Sequence, residues 1–187
     1  MSERFPPFEL DNDLGRELES ELTKHYGSNP NFKWKDDKGA PIGPFAVLAY
    51  TPDLFRPWMV LGDAVLNQQD FGPRHREIAC LAVIAVFDVP FIRYAHERIG
   101  IKVGLSPEQI SSAIKGVTPE GLTDTEVVIY ETALKLARAR GALNKESWLD
   151  AEFKLGKDGA ARLGHVVAWF MYNSTLLNLG AVDVPSD

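Results

Sequence analysis

The sequence predicts an all-α, single-domain helical bundle of about seven or eight helices. Three observations carry that expectation. Apolar residues recur at three- and four-residue spacing along most of the chain, and Pro, Gly or capping residues punctuate the ends of those runs. No segment shows the strict alternation of a half-buried strand. At 187 residues, the chain is long enough to bury a substantial core as one domain.

The first helix is expected from Leu10 to Tyr26, where Leu14, Leu18 and Leu22 recur every fourth residue before Gly27. From Gly27 to Pro44 the chain is rich in Ser, Asn, Gly, Pro and charge, and reads as a connecting loop anchored by Phe32 and Trp34. Residues 1–42 are therefore expected to form an N-terminal helix and connector, and residues 43–187 the main helical domain. Gly43-Pro44-Phe45 opens a short apolar segment to Tyr50. Thr51 is placed to cap a helix with Pro52 at its first position, running to about Gln69, and Pro57 is early enough to be tolerated.

Gly72-Pro73 begins a helix to Phe87, and the tight Asp88-Val89-Pro90 turn leads into another from Phe91 to Ile99. Ser106 with Gln109, and Thr123 with Glu126, have the spacing of capping boxes. The second of these starts a helix to Ala139 that Gly141 closes. Lys145 to Leu155 is amphipathic, and Asp158 to Leu179 is the longest run, with a broad apolar face that includes Trp169 and Phe170.

Ile78 to Phe87 and much of Val166 to Leu177 are apolar nearly all round, which suits a buried core or a subunit interface. A homo-oligomer is the expectation. A net charge of −6 with no basic block argues against a nucleic-acid backbone as partner. No apolar run is long enough to span a membrane, and the charged, Pro-broken start from Ser2 to Glu9 has no signal-peptide core. The single Cys80 rules out an internal disulfide or a CxxC pair. A cytoplasmic protein acting on a small molecule is the reading that remains.

Chemistry concentrates at Glu77 and His96, carried by two adjoining helices. A carboxylate beside an imidazole tunes its basicity and orientation, which makes the couple a proton-handling device. The same spacing also suits a solvated Glu beside a packed core His. Val89, Ile92 and His96 share one helix face, whereas Arg93 and Glu97 could pair on the exposed side. Cys80, three residues after Glu77, reads as inert packing. His25, His75, His96 and His165 share no ligand spacing, so no metal is expected.

The run Arg76-Glu77-Ile78-Ala79-Cys80-Leu81-Ala82-Val83, then Tyr94-Ala95-His96-Glu97-Arg98-Ile99, then Gly104-Leu105-Ser106-Pro107-Glu108-Gln109-Ile110, resembles the carboxymuconolactone decarboxylase family. The alkylhydroperoxidase D-like proteins share its superfamily. Gly43-Pro44-Phe45 with Thr51-Pro52-Asp53-Leu54 resembles the family's opening segment, and Tyr172-Asn173 through Leu177-Asn178-Leu179-Gly180 its closing helix. The resemblance implies an all-α subunit assembling into trimers or hexamers (sometimes dimers of a doubled form), a pocket near a subunit contact, and no organic cofactor.

In the peroxidase branch, a Glu and a His frame two redox cysteines. Their positions correspond here to Val89 and Ile92, so the resemblance implies the decarboxylase-like branch without peroxidase activity. Ile92 and Arg93 stand where relatives often carry Glu-Trp, and Tyr50 where they carry a His before Ser-Pro-Glu-Leu.

Losing CO₂ from an unsaturated or β-carbonyl acid leaves an enolate, which needs donors for its charge and a proton for its carbon. His96 is the expected acid–base group and Glu77 its orienting partner. Tyr50, Arg74 or Arg76 would hold the carboxylate or oxyanion, and Val89, Ile92 and Arg93 would shape the pocket. The same machinery suits an isomerase, dehydratase or cyclase. A non-catalytic oligomeric ligand-binding protein is the alternative from another class.

Overall fold

The computed structural model describes residues 4–7, 10 and 12–185, so part of the charged start read from Ser2 to Glu9 lies outside them. Among the described residues eight helices make up the architecture: α1 Asn12–Tyr26, α2 Pro44–Ala49, α3 Pro52–Leu66, α4 Pro73–Ile84, α5 Pro90–Lys102, α6 Pro107–Ile114, α7 Asp124–Arg138 and α8 Lys145–Gly180. Among the described residues extended pairing is limited to an isolated bridge, Lys35 with Pro41. The all-α expectation holds.

Helix α4 is the axis. Ile78 to Ile84 are all buried, because α5, α6, α7 and α8 pack around it. It ends at Ile84 rather than Phe87, since the last amides tighten onto the Val83 carbonyl before Pro90, which brings no N–H, begins α5. Both capping boxes form: Ser106 with Gln109 and Thr123 with Glu126 exchange side-chain and backbone hydrogen bonds.

Thr51 departs from expectation. Its hydroxyl donates to the Leu48 carbonyl behind it and does not cap α3.

Gly156 has φ 68° and ψ 173°, a conformation that suits glycine and breaks α8 where the sequence separates Lys145–Leu155 from Asp158–Leu179. Gly43 (φ 69°) carries α2 close under α5: a Cβ there would lie 2.4 Å from Phe91 Cζ.

A second apolar cluster joins α1 to the rest, as Leu14, Leu18 and Leu22 pack with Phe45, Leu48, Phe55 and Met59. The loop anchors behave as read. Phe32 is buried with its ring edge-on to Tyr26, and Trp34 is edge-on to Phe45. Helix α1 thus lies over the gap between α3, α5 and α8. Among the described residues no helix is long and apolar enough to cross a membrane.

Candidate active site

Glu77 lies one turn into α4 and His96 midway along α5, and the Asp88-Val89-Pro90 turn folds those helices side by side. His96 Nδ1–H donates to Glu77 Oε1 at 2.8 Å. Glu77 is 2% exposed and His96 9%. The imidazole packs edge-on to Phe170, with ring centres 5.1 Å apart. Because Nδ1 is committed to the carboxylate, Nε2 is the nitrogen left for a ligand.

His96 lines a cavity of about 90 Å³, against the roughly 10–15 Å³ that one water requires. Its walls are largely apolar and aromatic: Phe45, Trp58, Ile92, Trp169 and Phe170. Trp58 Nε1–H donates to Asn173 Oδ1 at 3.1 Å, and the Asn173 amide donates to the Trp169 carbonyl at 2.8 Å. Asn173 thereby fixes the Trp58 indole against the backbone of α8.

The predicted site residues divide sharply. Glu77, His96 and Ile92 come together, and Val89 is buried in the core beside them. Tyr50 lies outside the cavity, its hydroxyl donating to the Pro6 carbonyl at 2.8 Å. Arg74 points elsewhere, donating to Glu126 Oε1 and the Gly104 carbonyl, each at 2.6 Å. Arg93 pairs with Asp88 at 2.8 Å on the surface, not with Glu97. Arg76 donates to the Leu66 carbonyl; its charge reaches His25 and Tyr26, but its guanidinium does not line the cavity. Each cation lies near a free carbonyl or carboxylate of its own, which is why none is left for a ligand.

Sequence reasoning assigned no site residue to α1. Glu21, His25 and Tyr26 line the cavity, with Asp63 of α3 beside them. The signal was present: Tyr26 continues the Leu14, Leu18, Leu22 stripe by one more step of four, and Glu21 and His25 are themselves four apart. Burial raises the pKa of the Tyr26 phenol; Arg76 opposes this, while Glu77 and Cys80 reinforce it. It is therefore a neutral donor close to the dyad.

Among the described residues two sets could offer donors to a metal, Glu77–Cys80–His96 and Glu21–His25–Asp63, the donor atoms within each set lying within 4.8 Å of one another. Neither has the chemistry of a ready metal site. Burial, and then Glu77, push the Cys80 thiol well up, away from the thiolate a metal needs, and Lys24 already occupies Asp63 at 2.5 Å. Cys80 is accordingly expected to resist a water-soluble disulfide reagent in the native protein and to react fully once unfolded. Absorbance of the released thiol checks this.

The all-α fold carries a buried imidazole–carboxylate couple on an aromatic cavity, and its architecture is similar to that of alkylhydroperoxidase AhpD core structures. Solved structures match over nearly the whole chain. The alkylhydroperoxidase AhpD core of an uncharacterized peroxidase-related protein from Ralstonia eutropha JMP134 superposes with a TM-score of 0.77 at 20% identity, covering 98% of this chain and 92% of that one. The debrominase Bmp8 superposes in complex with 2,3,4-tribromopyrrole (TM-score 0.77) and without ligand (0.78), both at 11% identity over 100% of this chain and 94% of that one. At such identities the likeness carries the fold alone. No protein-family model matches the chain, and no curated protein does.

Proposed function

We propose that the protein is a cofactor-independent, decarboxylase-like lyase that moves a proton on a small unsaturated or lactone-type carboxylic acid. His96 is its acid–base group and Glu77 the anchor of that imidazole. The observation that carries this reading is the 2.8 Å buried couple with its free nitrogen beside an apolar cavity. An apolar surround favours CO₂ release, because it solvates a localised carboxylate charge poorly, and that charge disperses over the enolate before His96 delivers the proton.

Val89 and Ile92 at the cysteine positions, and Cys80 buried, support the absence of peroxidase activity. Exposed apolar side chains such as Leu54, Val60 and Phe153 support a homo-oligomer, a trimer, hexamer or dimer in a cytoplasmic setting.

One observation favours a second reading. Among the described residues no Arg or Lys lines the cavity, so a neutral ligand suits it, and the outcome is then isomerisation, dehydration or cyclisation. The test is a panel of unsaturated lactone acids, β-keto acids and neutral lactones, with CO₂ release and product mass recorded for the native protein and His96→Ala. CO₂ lost only with His96 present supports the lyase. Products of unchanged mass select the isomerase or cyclase, and loss of water the dehydratase. Turnover that survives in His96→Ala removes His96 from the chemistry.

A further inference from the structure

The cavity carries a second imidazole between carboxylates, on a different wall. Glu21 and His25 come from α1, and Asp63 from α3. His25 Nε2 lies 3.2 Å from Asp63 Oδ1 and 3.5 Å from Glu21 Oε2. The His25 side chain is only 6% exposed. Lys24 at 2.5 Å and the Asn67 amide at 2.7 Å hold Asp63 in place. Oε2 of Glu21 is buried with no hydrogen-bond partner among the described residues.

The two couples differ in one respect that bears on proton traffic. Glu77 is sealed at 2% exposure, whereas the side chains of Asp63 and Glu21 are 34% and 33% exposed. A proton reaching His25 therefore has a carboxylate path to water, and one reaching His96 has none through Glu77.

We propose that His25, held by Asp63 and Glu21, is a second proton-transfer group of this cavity, so that a ligand between the two imidazoles exchanges protons at two of its atoms. The proposal rests on reading His96 as the first such group. In an allylic shift, one neutral imidazole takes a C–H proton and the electron pair delocalises into a dienolate. The other imidazole, protonated, delivers a proton to the distal carbon. His25 then returns its charge state to that of the start by proton exchange with water through Asp63 and Glu21, and His96 by exchange at Nε2 with water entering the cavity once the product has left.

Burial lowers the pKa of His25; Lys24 and Arg76 act in the same direction, and Asp63 and Glu21 oppose them. At neutral pH His25 is thus uncharged and begins as the acceptor.

The probe is a five-membered β,γ-unsaturated lactone in D₂O, with deuterium counted at its α and γ carbons for the full chain, His25→Gln and His96→Gln. The native protein is expected to label both carbons. His25→Gln should lose at least 10-fold at one carbon and keep the other, and His96→Gln should show the converse. Equal labelling at both carbons in His25→Gln overturns the proposal.

A second measurement does not depend on turnover or on any variant. The Cε1–H signals of the four histidines are followed while the saturated lactone is added to the native protein, with the exposed His165 and the non-lining His75 as internal references. Movement of His25 and His96 together supports the proposal. A static His25 overturns it while a moving His96 leaves the Glu77–His96 reading intact, and a static His96 sinks that reading and this proposal with it.

Discussion

His96→Ala is expected to cut turnover of the true substrate by about 10²–10⁴-fold, the usual worth of one positioned acid–base group. The imidazole is oriented by a single strong contact, Nδ1–H to Glu77 Oε1 at 2.8 Å, and by the face of Phe170. Removing it deletes the nitrogen that meets the ligand and also leaves the Glu77 carboxylate buried without its partner. The effect should therefore appear in kcat more than in KM, with some loss of stability.

Glu77→Gln separates these contributions. It keeps an acceptor oxygen for Nδ1–H but withdraws the negative charge that stabilises an imidazolium, so its kcat should fall less than that of His96→Ala while the fold stays intact. Steady-state rates of both variants, alongside circular dichroism, check this. Equal kcat in all three proteins would make the couple a structural pairing.

Arg74→Ala should have the opposite profile, costing about 3 kcal/mol of folding stability and sparing the chemistry. Arg74 joins three elements: it donates to Glu126 at the start of α7 and to the Gly104 carbonyl after α5, from the first turn of α4. Glu126 is 7% exposed in its side chain and already serves the Thr123 amide. Stripped of its guanidinium, it becomes a buried charge with Thr123 as its remaining partner. Breaking a fully buried pair costs about 3–5 kcal/mol, and the partial exposure of Arg74 (32%) places this one at the lower end.

The pH dependence has a definite sign. Burial pushes the Glu126 carboxyl up, but the hydrogen bonds from Arg74 and Thr123 outweigh it and hold the pKa below the ordinary 4.5. The native protein therefore has this stabilisation in full above pH ~4.5 and loses it as pH falls through the lowered value. In Arg74→Ala the carboxyl takes up its proton at higher pH, which relieves the unpaired charge. The gap between the two denaturation midpoints should be widest near neutrality and close towards acid. A gap constant from pH 3 to 7 would show that packing of the Arg74 stem, not its charge, is what matters.

Helices α4 and α5 and the Glu77–His96 meeting were legible because they rest on local chemistry: Pro at helix starts, a short turn, and two apolar runs that must face each other. The capping boxes at Ser106 and Thr123 were legible for the same reason. Thr51 misled because a Thr before Pro-Asp satisfies itself equally well by donating backwards to Leu48. The arginines were misassigned because sequence shows a guanidinium but not the carbonyl ends and carboxylates waiting for it. Arg74 finds Glu126 52 residues away. His25 was passed over because its partners are one on its own helix and one on α3, a convergence that only tertiary packing creates.

Helix α1 closes the cavity on the side of Glu21, His25 and Tyr26. This helix is held by its buried Leu14, Leu18 and Leu22 and, at its rim, by exposed ion pairs, Lys24 with Asp63, Arg56 with Glu17 and Lys35 with Glu19. Such pairs contribute little individually and weaken as the Debye length shrinks from about 10 Å at 0.1 M salt to about 3 Å at 1 M. Salt is therefore expected to loosen only the rim of α1, while the buried leucines keep it over the cavity.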